Sequence, residues 1–236
     1  MYREVNGKWG YCKFFAKDMY VGRSMNYYGE YGPDETEKVL SLASGLCLDI
    51  GANIGCITQA LLANNFTVLA IEPQPEVYRC LRSNICRYTT GNAMNVAVGS
   101  AVGTAKMPVV HYSDKNNIGG LGIGQRSIYG TYEVPVVTID SLEVTPGFMK
   151  IDVEGYELEV LQGASATIKY CRPIMYIEDD RAEKSRALRQ YIEELGYTIE
   201  EHRPTLYREN NFFGLKKNVW DRNYASHNLI CLPKVH

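Results

Sequence analysis

The chain of 236 residues has no surplus of either charge: 25 Lys and Arg stand against 27 Asp and Glu, a formal net charge of −2. That balance lacks the electrostatic footprint of a protein that binds nucleic acid or an anionic membrane. No apolar run is long enough to cross a bilayer, and the start, Met1 to Lys8, lacks the apolar core of a signal peptide. No Cys-x-x-Cys pair occurs. The seven cysteines (Cys12, Cys47, Cys56, Cys80, Cys86, Cys171, Cys231) are odd in number and mostly embedded in apolar stretches. They read as buried thiols in a reducing, cytoplasmic compartment, and no Cys/His spacing suggests zinc. Histidine is scarce: His111, His202, His227 and His236 fall in no catalytic motif, although His227 precedes the last expected strand and could reach a site edge. Internal repeats and low-complexity tracts are absent.

What is present is ordinary in bulk and unusual in detail. At 45% hydrophobic and 22% charged residues, the chain can bury a sizeable core as one large domain. Tyrosine is abundant, with 18 residues, and Tyr2, Tyr11, Tyr20, Tyr27, Tyr28 and Tyr31 crowd the first third. These rings either pack an N-terminal extension (1–33) on the core or stack on a planar or sugar-like ligand, with Tyr28 a candidate substrate contact. Residues 1–32 show no helical period and suggest short strands or a cap. A helix is expected from Asp34 to about Ala43, with acids in its first turn. Then apolar strands alternate with helices: strand 46–50, helix 54–64, strand 67–71, helix 75–88, strand 93–98, strand 147–152, helix 156–169, strand 173–178 and helix 182–195. Such alternation predicts an α/β fold with a mostly parallel sheet covered on both faces. An inserted β-hairpin is expected over 104–139, with a mobile glycine-rich loop, and a last strand near Asn228 to Pro233.

Ligands in such sheets bind at the carboxyl ends of the strands, which draws attention to five sites. The first, Asp49-Ile50-Gly51-Ala52-Asn53-Ile54-Gly55, has glycine where a tight turn needs positive φ and where the next helix approaches closely. A dinucleotide fingerprint starting at Gly51 would need glycines at 53 and 56, where the chain has Asn53 and Cys56. Asp49 is unfavourable beside phosphate and favourable beside an ammonium group. The pocket therefore suits S-adenosylmethionine better than a nicotinamide dinucleotide, with a ligand-free tight turn as the remaining alternative. Glu72 ends the second strand, where a carboxylate accepts hydrogen bonds from ribose hydroxyls. Ala97 and its apolar neighbours end the third, where adenine could slot. Asp152 and Glu154 end the fourth: Asp152 could face the sulfonium and accept a hydroxyl proton, while Glu154 could equally cap a helix. Glu178-Asp179-Asp180 ends the fifth, and can contact substrate, cap the next helix or bind a divalent metal; no metal is assigned. Asn117, Gly119 and Gly120 form either a loop that closes over substrate or a plain hairpin tip.

Four stretches together resemble the FkbM-type S-adenosylmethionine-dependent methyltransferases: Leu48 to Gly55, Ile71 to Pro75, Val96 to Gly99, and Met149 to Glu157. Fainter echoes are Asn117 to Gly120, Thr138 to Leu142, Gly22 to Ser24 and Tyr28 to Glu30. The resemblance covers roughly residues 45–180. It implies a seven-stranded class I methyltransferase fold, Rossmann-like, with its last strand antiparallel. It further implies methyl transfer to a hydroxyl oxygen of a sugar, glycan or natural-product scaffold. By position, Asp49, Gly51, Asn53, Gly55 and Glu72 would hold the cofactor, with Asp152 and Glu154 beside the methyl group. A small-molecule or carbohydrate acceptor is expected as partner, without nucleic acid. A nicotinamide-dependent oxidoreductase and a non-catalytic nucleoside-binding or interaction module are the rival readings.

Overall fold

The computed structural model describes residues 1–220 and 225–234. The chain opens on an antiparallel hairpin, β1 (Tyr2–Gly7) and β2 (Gly10–Phe15), followed by α1 (Val21–Tyr28) and α2 (Pro33–Leu42). The alternating region supplies β3 (Leu46–Ile50), α3 (Cys56–Ala63), β4 (Thr67–Ile71), α4 (Pro75–Ile85), β5 (Gly91–Met94), β6 (Ala97–Val98), β7 (Gly103–Pro108) and β8 (Thr131–Val137). A short 3-10 turn at Asp140–Leu142 leads into β9 (Pro146–Ile151), α5 (Glu157–Gln162), α6 (Ser165–Cys171), β10 (Ile174–Glu178), α7 (Ala182–Glu194), β11 (Tyr197–His202) and β12 (Asn228–Pro233).

Seven of these strands form the central sheet in the order β11-β12-β10-β9-β3-β4-β5. The β3, β4, β5, β9 and β10 pairings are parallel, and β12 runs antiparallel between β10 and β11. Strand alternation then sorts the side chains. Leu48, Ile50, Met149, Ile151, Met175 and Ile177 point to the face covered by α5, α6 and α7. Cys47, Val68, Ala70, Phe148 and Tyr176 point to the face covered by α2, α3 and α4. Asp49 and Lys150 pair across β3 and β9 and share the parity of the second set. Two polar residues thus enter the α2/α3 side at the carboxyl ends of adjacent strands.

Three expectations are corrected. The strand expected over 93–98 divides into β5 and β6, which leaves the central sheet to pair with β8. Asn95 marks the division, its amide donating to the carbonyls of Glu72 (2.8 Å) and Pro73 (3.0 Å). The helix expected over 156–169 is two helices. At Gly163 a Cβ would stand 2.0 Å from the Gly99 carbonyl oxygen, and beyond it Asp140 accepts the amides of Ala166 (3.0 Å) and Thr167 (2.8 Å) at the start of α6. The N-terminal stretch contains α1, which buries Val21, Met25 and Tyr28 and ends at Gly29 with φ of 67°. Its short periodic core is hidden in the sequence by flanking aromatics and glycines. β7 and β8 form the expected hairpin, which with β6 becomes a three-stranded sheet.

Candidate active site

A cavity of about 360 Å³ opens at the carboxyl ends of β3, β4, β9 and β10. Its floor is the turn after β3. Gly51 has φ of 81°, and a Cβ there would stand 1.7 Å from the Asp152 carbonyl oxygen, so only glycine fits. The amides of Gly51 and Ala52 both donate to the Ile71 carbonyl, at 2.9 and 3.0 Å, which binds the turn to β4. Asn53 follows with φ of 52° and donates its amide to Glu72 Oε2 at 3.0 Å. Gly55 does different work. It is outside the cavity wall, and a Cβ there would meet Leu81 Cδ1 at 2.6 Å, so it lets α3 pack against α4.

Asp49 is fully buried, and Thr58 Oγ1 donates to its Oδ2 at 2.5 Å. Its Oδ1 is buried without a hydrogen-bond partner. Burial raises the Asp49 carboxyl above its usual range, opposed by Lys150. A buried carboxylate oxygen without a donor is costly, and here it belongs to a side chain lining the cavity. Glu72 receives the amides of Asn53 on one oxygen and Gln74 on the other, at 3.0 and 2.8 Å. Each carboxylate oxygen keeps a further lone pair. Burial pushes Glu72 up to about 7. Beside it Val96, Ala97, Val98, Met107, Leu121 and Ile123 make an apolar slot.

The other end of the cavity is acidic. Carboxylate oxygens of Asp152, Glu154 and Glu178 lie within 4.8 Å of one another. Two of these acids already have cations: Lys150 Nζ stands 2.9 Å from Asp152 Oδ2, and Arg181 pairs with Glu154. Burial, followed by Asp152, pushes Glu154 up to about 8, and burial raises Glu178 strongly. Glu154 adopts φ of 57°, and Glu157 shapes the same turn by accepting the amides of Val153 (3.2 Å) and Gly155 (2.9 Å). The 178–180 acids divide their labour. Glu178 lines the cavity; Asp179 takes Ser185 Oγ and Arg189 Nε, each at 2.8 Å; Asp180 accepts the His227 amide at 2.6 Å.

Asn117 and Gly119 line the cavity from the long loop between β7 and β8. This part of the loop is anchored. Asp18 Oδ1 accepts the Ile118 amide (3.3 Å), Gln74 Nε2 donates to the Ile118 carbonyl (3.1 Å), and Met19 donates its amide to Asn116 (2.9 Å). Tyr28, like Gly55, is a candidate placed outside the cavity wall. It is buried beside Tyr207, Val219 and Trp220, accepts the Val219 amide at 2.8 Å, and donates to the Lys217 carbonyl at 3.3 Å. The hydroxyl expected to meet substrate joins α1 to the 217–220 segment instead, and Tyr20 and Tyr31 line the cavity. Among the histidines, His111 packs edge-on against Tyr129 and His202 Nδ1 is 2.8 Å from the Tyr176 hydroxyl; His236 lies outside the described residues.

Sequence reasoning missed Lys150 as a site residue, although strand alternation from Asp152 places it on the same face. It also missed Glu35, which reads as a first-turn dipole acid. Glu35 lines the cavity from α2, with Oε1 3.9 Å from Lys150 Nζ. Nothing local in the sequence links these two residues 115 positions apart; only the sheet and α2 do.

No curated protein matches the chain. Solved structures share its fold. A methyltransferase FkbM from Methylobacillus flagellatus KT is 20% identical with a TM-score of 0.53, covering 79% of this chain and 43% of that one. The chain therefore spans less than half the length of that relative. Magnesium protoporphyrin IX methyltransferase from Synechocystis PCC 6803, solved with bound SAM, is 11% identical, TM-score 0.52, over 94% of this chain and 84% of that one. A tRNA (uracil-54, C5)-methyltransferase from Pyrococcus abyssi, in complex with S-adenosyl-L-homocysteine, is 10% identical, TM-score 0.53, over 98% and 44%. The methyltransferase FkbM domain model matches residues 49–199, from the acid at the end of β3 to the middle of β11. The chain belongs to the FkbM methyltransferase domain family.

Proposed function

We propose that this cavity binds S-adenosylmethionine and that the chain methylates a hydroxyl oxygen of an uncharged sugar, glycan or natural-product acceptor. The observation that carries the donor is Asp49 Oδ1, a buried oxygen lacking a partner in the cavity wall, which suits the ammonium of the methionine part. S-adenosylmethionine supplies, when bound, a methyl group made electrophilic by a positively charged sulfur.

The residues then divide by position. Glu72, fixed by the amides of Asn53 and Gln74, accepts from the ribose hydroxyls. Ala97 and the apolar slot hold adenine, and Gly51 keeps the turn low enough for the ligand to pass. Asp152, with Lys150 holding one oxygen, presents negative charge to the sulfur end. Glu154, Glu178, Asn117 and Gly119 border the acceptor. The acidic lining of that end, in a chain of net charge −2, disfavours a phosphate-bearing acceptor and supports a neutral polyhydroxylated one. Most of the rate enhancement of such a site comes from alignment and exclusion of water, to which a base would add roughly 10²–10⁴-fold.

The acceptor is identified by mass spectrometry of a glycan and metabolite panel incubated with the enzyme and isotopically labelled methyl donor. Label on an oxygen of a neutral compound is the expected result; label confined to RNA or to nitrogen would overturn the acceptor reading. With the acceptor in hand, Asp152→Ala should lose turnover by more than about 100-fold while keeping its fold. A near-wild-type rate with intact donor binding would remove Asp152 from the chemistry.

A further inference from the structure

The cavity wall carries more negative charge than its cations offset, and one part of the surplus surrounds Lys150. Three carboxylates act on that single ammonium: Asp152 by a hydrogen bond at 2.9 Å, Asp49 as its cross-strand neighbour, and Glu35 at 3.9 Å. Asp49 has Thr58 on one oxygen and, on the proposed reading, keeps its unpartnered second oxygen for the donor, and Asp152 holds the lysine. Glu35 is left over. It comes from α2, outside the residues that the family model matches. Only 8% of it is exposed, it lines the cavity, and among the described residues it takes no hydrogen bond, its one ion contact being the long one to Lys150. A carboxylate buried so incompletely compensated is unfavourable unless a ligand completes its surroundings.

We infer that Glu35 is a donor-site residue that selects by charge, favouring the cationic methyl donor over the product whose sulfur is neutral. The inference rests on the reading of the cavity as a site for S-adenosylmethionine. That donor brings a sulfonium and an ammonium against one carboxylate. S-adenosylhomocysteine has the same contacts to offer but no sulfonium charge. An ionised Glu35, added to the Asp152 and Asp49 carboxylates, makes the wall attractive to the first and indifferent to the second. The enzyme thereby holds its donor and lets its product go.

The charge of Glu35 depends on pH. Burial pushes its carboxyl up to about 7; Lys150 opposes the rise, and Asp152, Asp49 and Asp180 add to it. Among the described residues, Glu35 also acts on the Tyr31 and Tyr176 phenols, both driven further up from their ordinary value by burial and therefore neutral. Raising the pH through about 7 ionises Glu35, so the preference for the donor should widen.

Calorimetric titration of the full chain with S-adenosylmethionine and with S-adenosylhomocysteine, at about pH 6 and pH 8, tests this without any acceptor. In the wild type the ratio of the two affinities should rise with pH. Glu35→Gln should lower that ratio at the higher pH by roughly 5- to 10-fold and reduce its pH dependence, leaving the part set by Glu72 and Glu154, which titrate at about 7 and about 8 in the same cavity, with thermal unfolding showing an intact fold. Glu35→Asp, which keeps the charge, should restore part of both. A ratio equal in wild type and Glu35→Gln overturns the inference, as does a wild-type ratio that is flat with pH, whatever the variants do. Equal binding failure of both ligands in the wild type overturns the cofactor reading first and the inference with it.

Discussion

The two ends of the cavity are built in different ways. At the proposed donor end, Asp49, Gly51, Asn53 and Glu72 lie within two adjacent strand ends, tied together by the β3–β4 pairing, the amides of Gly51 and Ala52 on the Ile71 carbonyl, and the Asn53 amide on the Glu72 carboxylate. At the acidic end, the wall is gathered from the ends of β9 and β10, the loop between β7 and β8, and residues 206, 225 and 226 of the tail, with Glu35 of α2 standing between the two ends beside Lys150. A donor that does not change needs a rigid, contiguous motif. An acceptor end assembled from separate segments can be altered piece by piece without disturbing that motif. The family match covers the donor end and most of the acidic end, from Asp49 through β10, and leaves α2 and the tail aside.

The contrast is broken most severely at Gly51. Gly51→Ala puts a Cβ at 1.7 Å from the Asp152 carbonyl oxygen in a left-handed conformation. Relief of such a clash with backbone should cost about 3 kcal/mol or more, and binding of S-adenosylmethionine should fall beyond detection in calorimetry. Retained affinity would show that the turn is not the donor floor.

A second, smaller effect lies in pH. Burial pushes Glu35 and Glu72 up to about 7 and Glu154 up to about 8, from an ordinary value of 4.5. The folded ligand-free protein therefore holds more protons than the unfolded chain between those values, and its stability falls as pH rises from about 4.5 through about 8. The Tm without ligand should be higher near pH 5.5 than near pH 8 by a few degrees, and Glu72→Gln should flatten part of the slope. A Tm that climbs across this window would mean that these carboxylates are not buried as described.

The smallest effect sharpens the contrast from outside the cavity. Tyr28→Phe removes the acceptor of the Val219 amide and the donor to the Lys217 carbonyl. It should cost about 1–2 kcal/mol of stability and leave donor affinity within about twofold. A large loss of affinity with unchanged stability would return Tyr28 to the ligand site.

The part of the cavity wall after β3 and β4, proposed as the donor end, was legible in the sequence because its information is local. Asn53 and Cys56 stand where pyrophosphate would want glycine, and Asp49 and Glu72 end consecutive apolar runs. The parallel sheet was legible for the same reason, through runs such as Leu46–Ile50 and Thr67–Ile71. The departures have nonlocal causes. Asn95 ends a strand early by bonding to the carbonyls after β4, and Gly163 interrupts a helix because Gly99 passes beneath it. Gly55 reads as a ligand residue and turns out to serve helix packing. Tyr28 shows the limit most clearly: an aromatic in a tyrosine-rich segment gives no indication of whether its hydroxyl meets a ligand or the amide of Val219, 191 positions away. Glu35 and Lys150 become partners only after α2 is laid against the sheet.

The central claim is that the turn after β3 and Glu72 together hold S-adenosylmethionine. Calorimetric titration of the wild-type chain with S-adenosylmethionine, S-adenosylhomocysteine and NAD tests it most directly. Saturable one-to-one binding of both sulfur ligands, lost in Gly51→Ala, with none for NAD is the predicted result. Binding of NAD alone, or of no ligand at all, would contradict it.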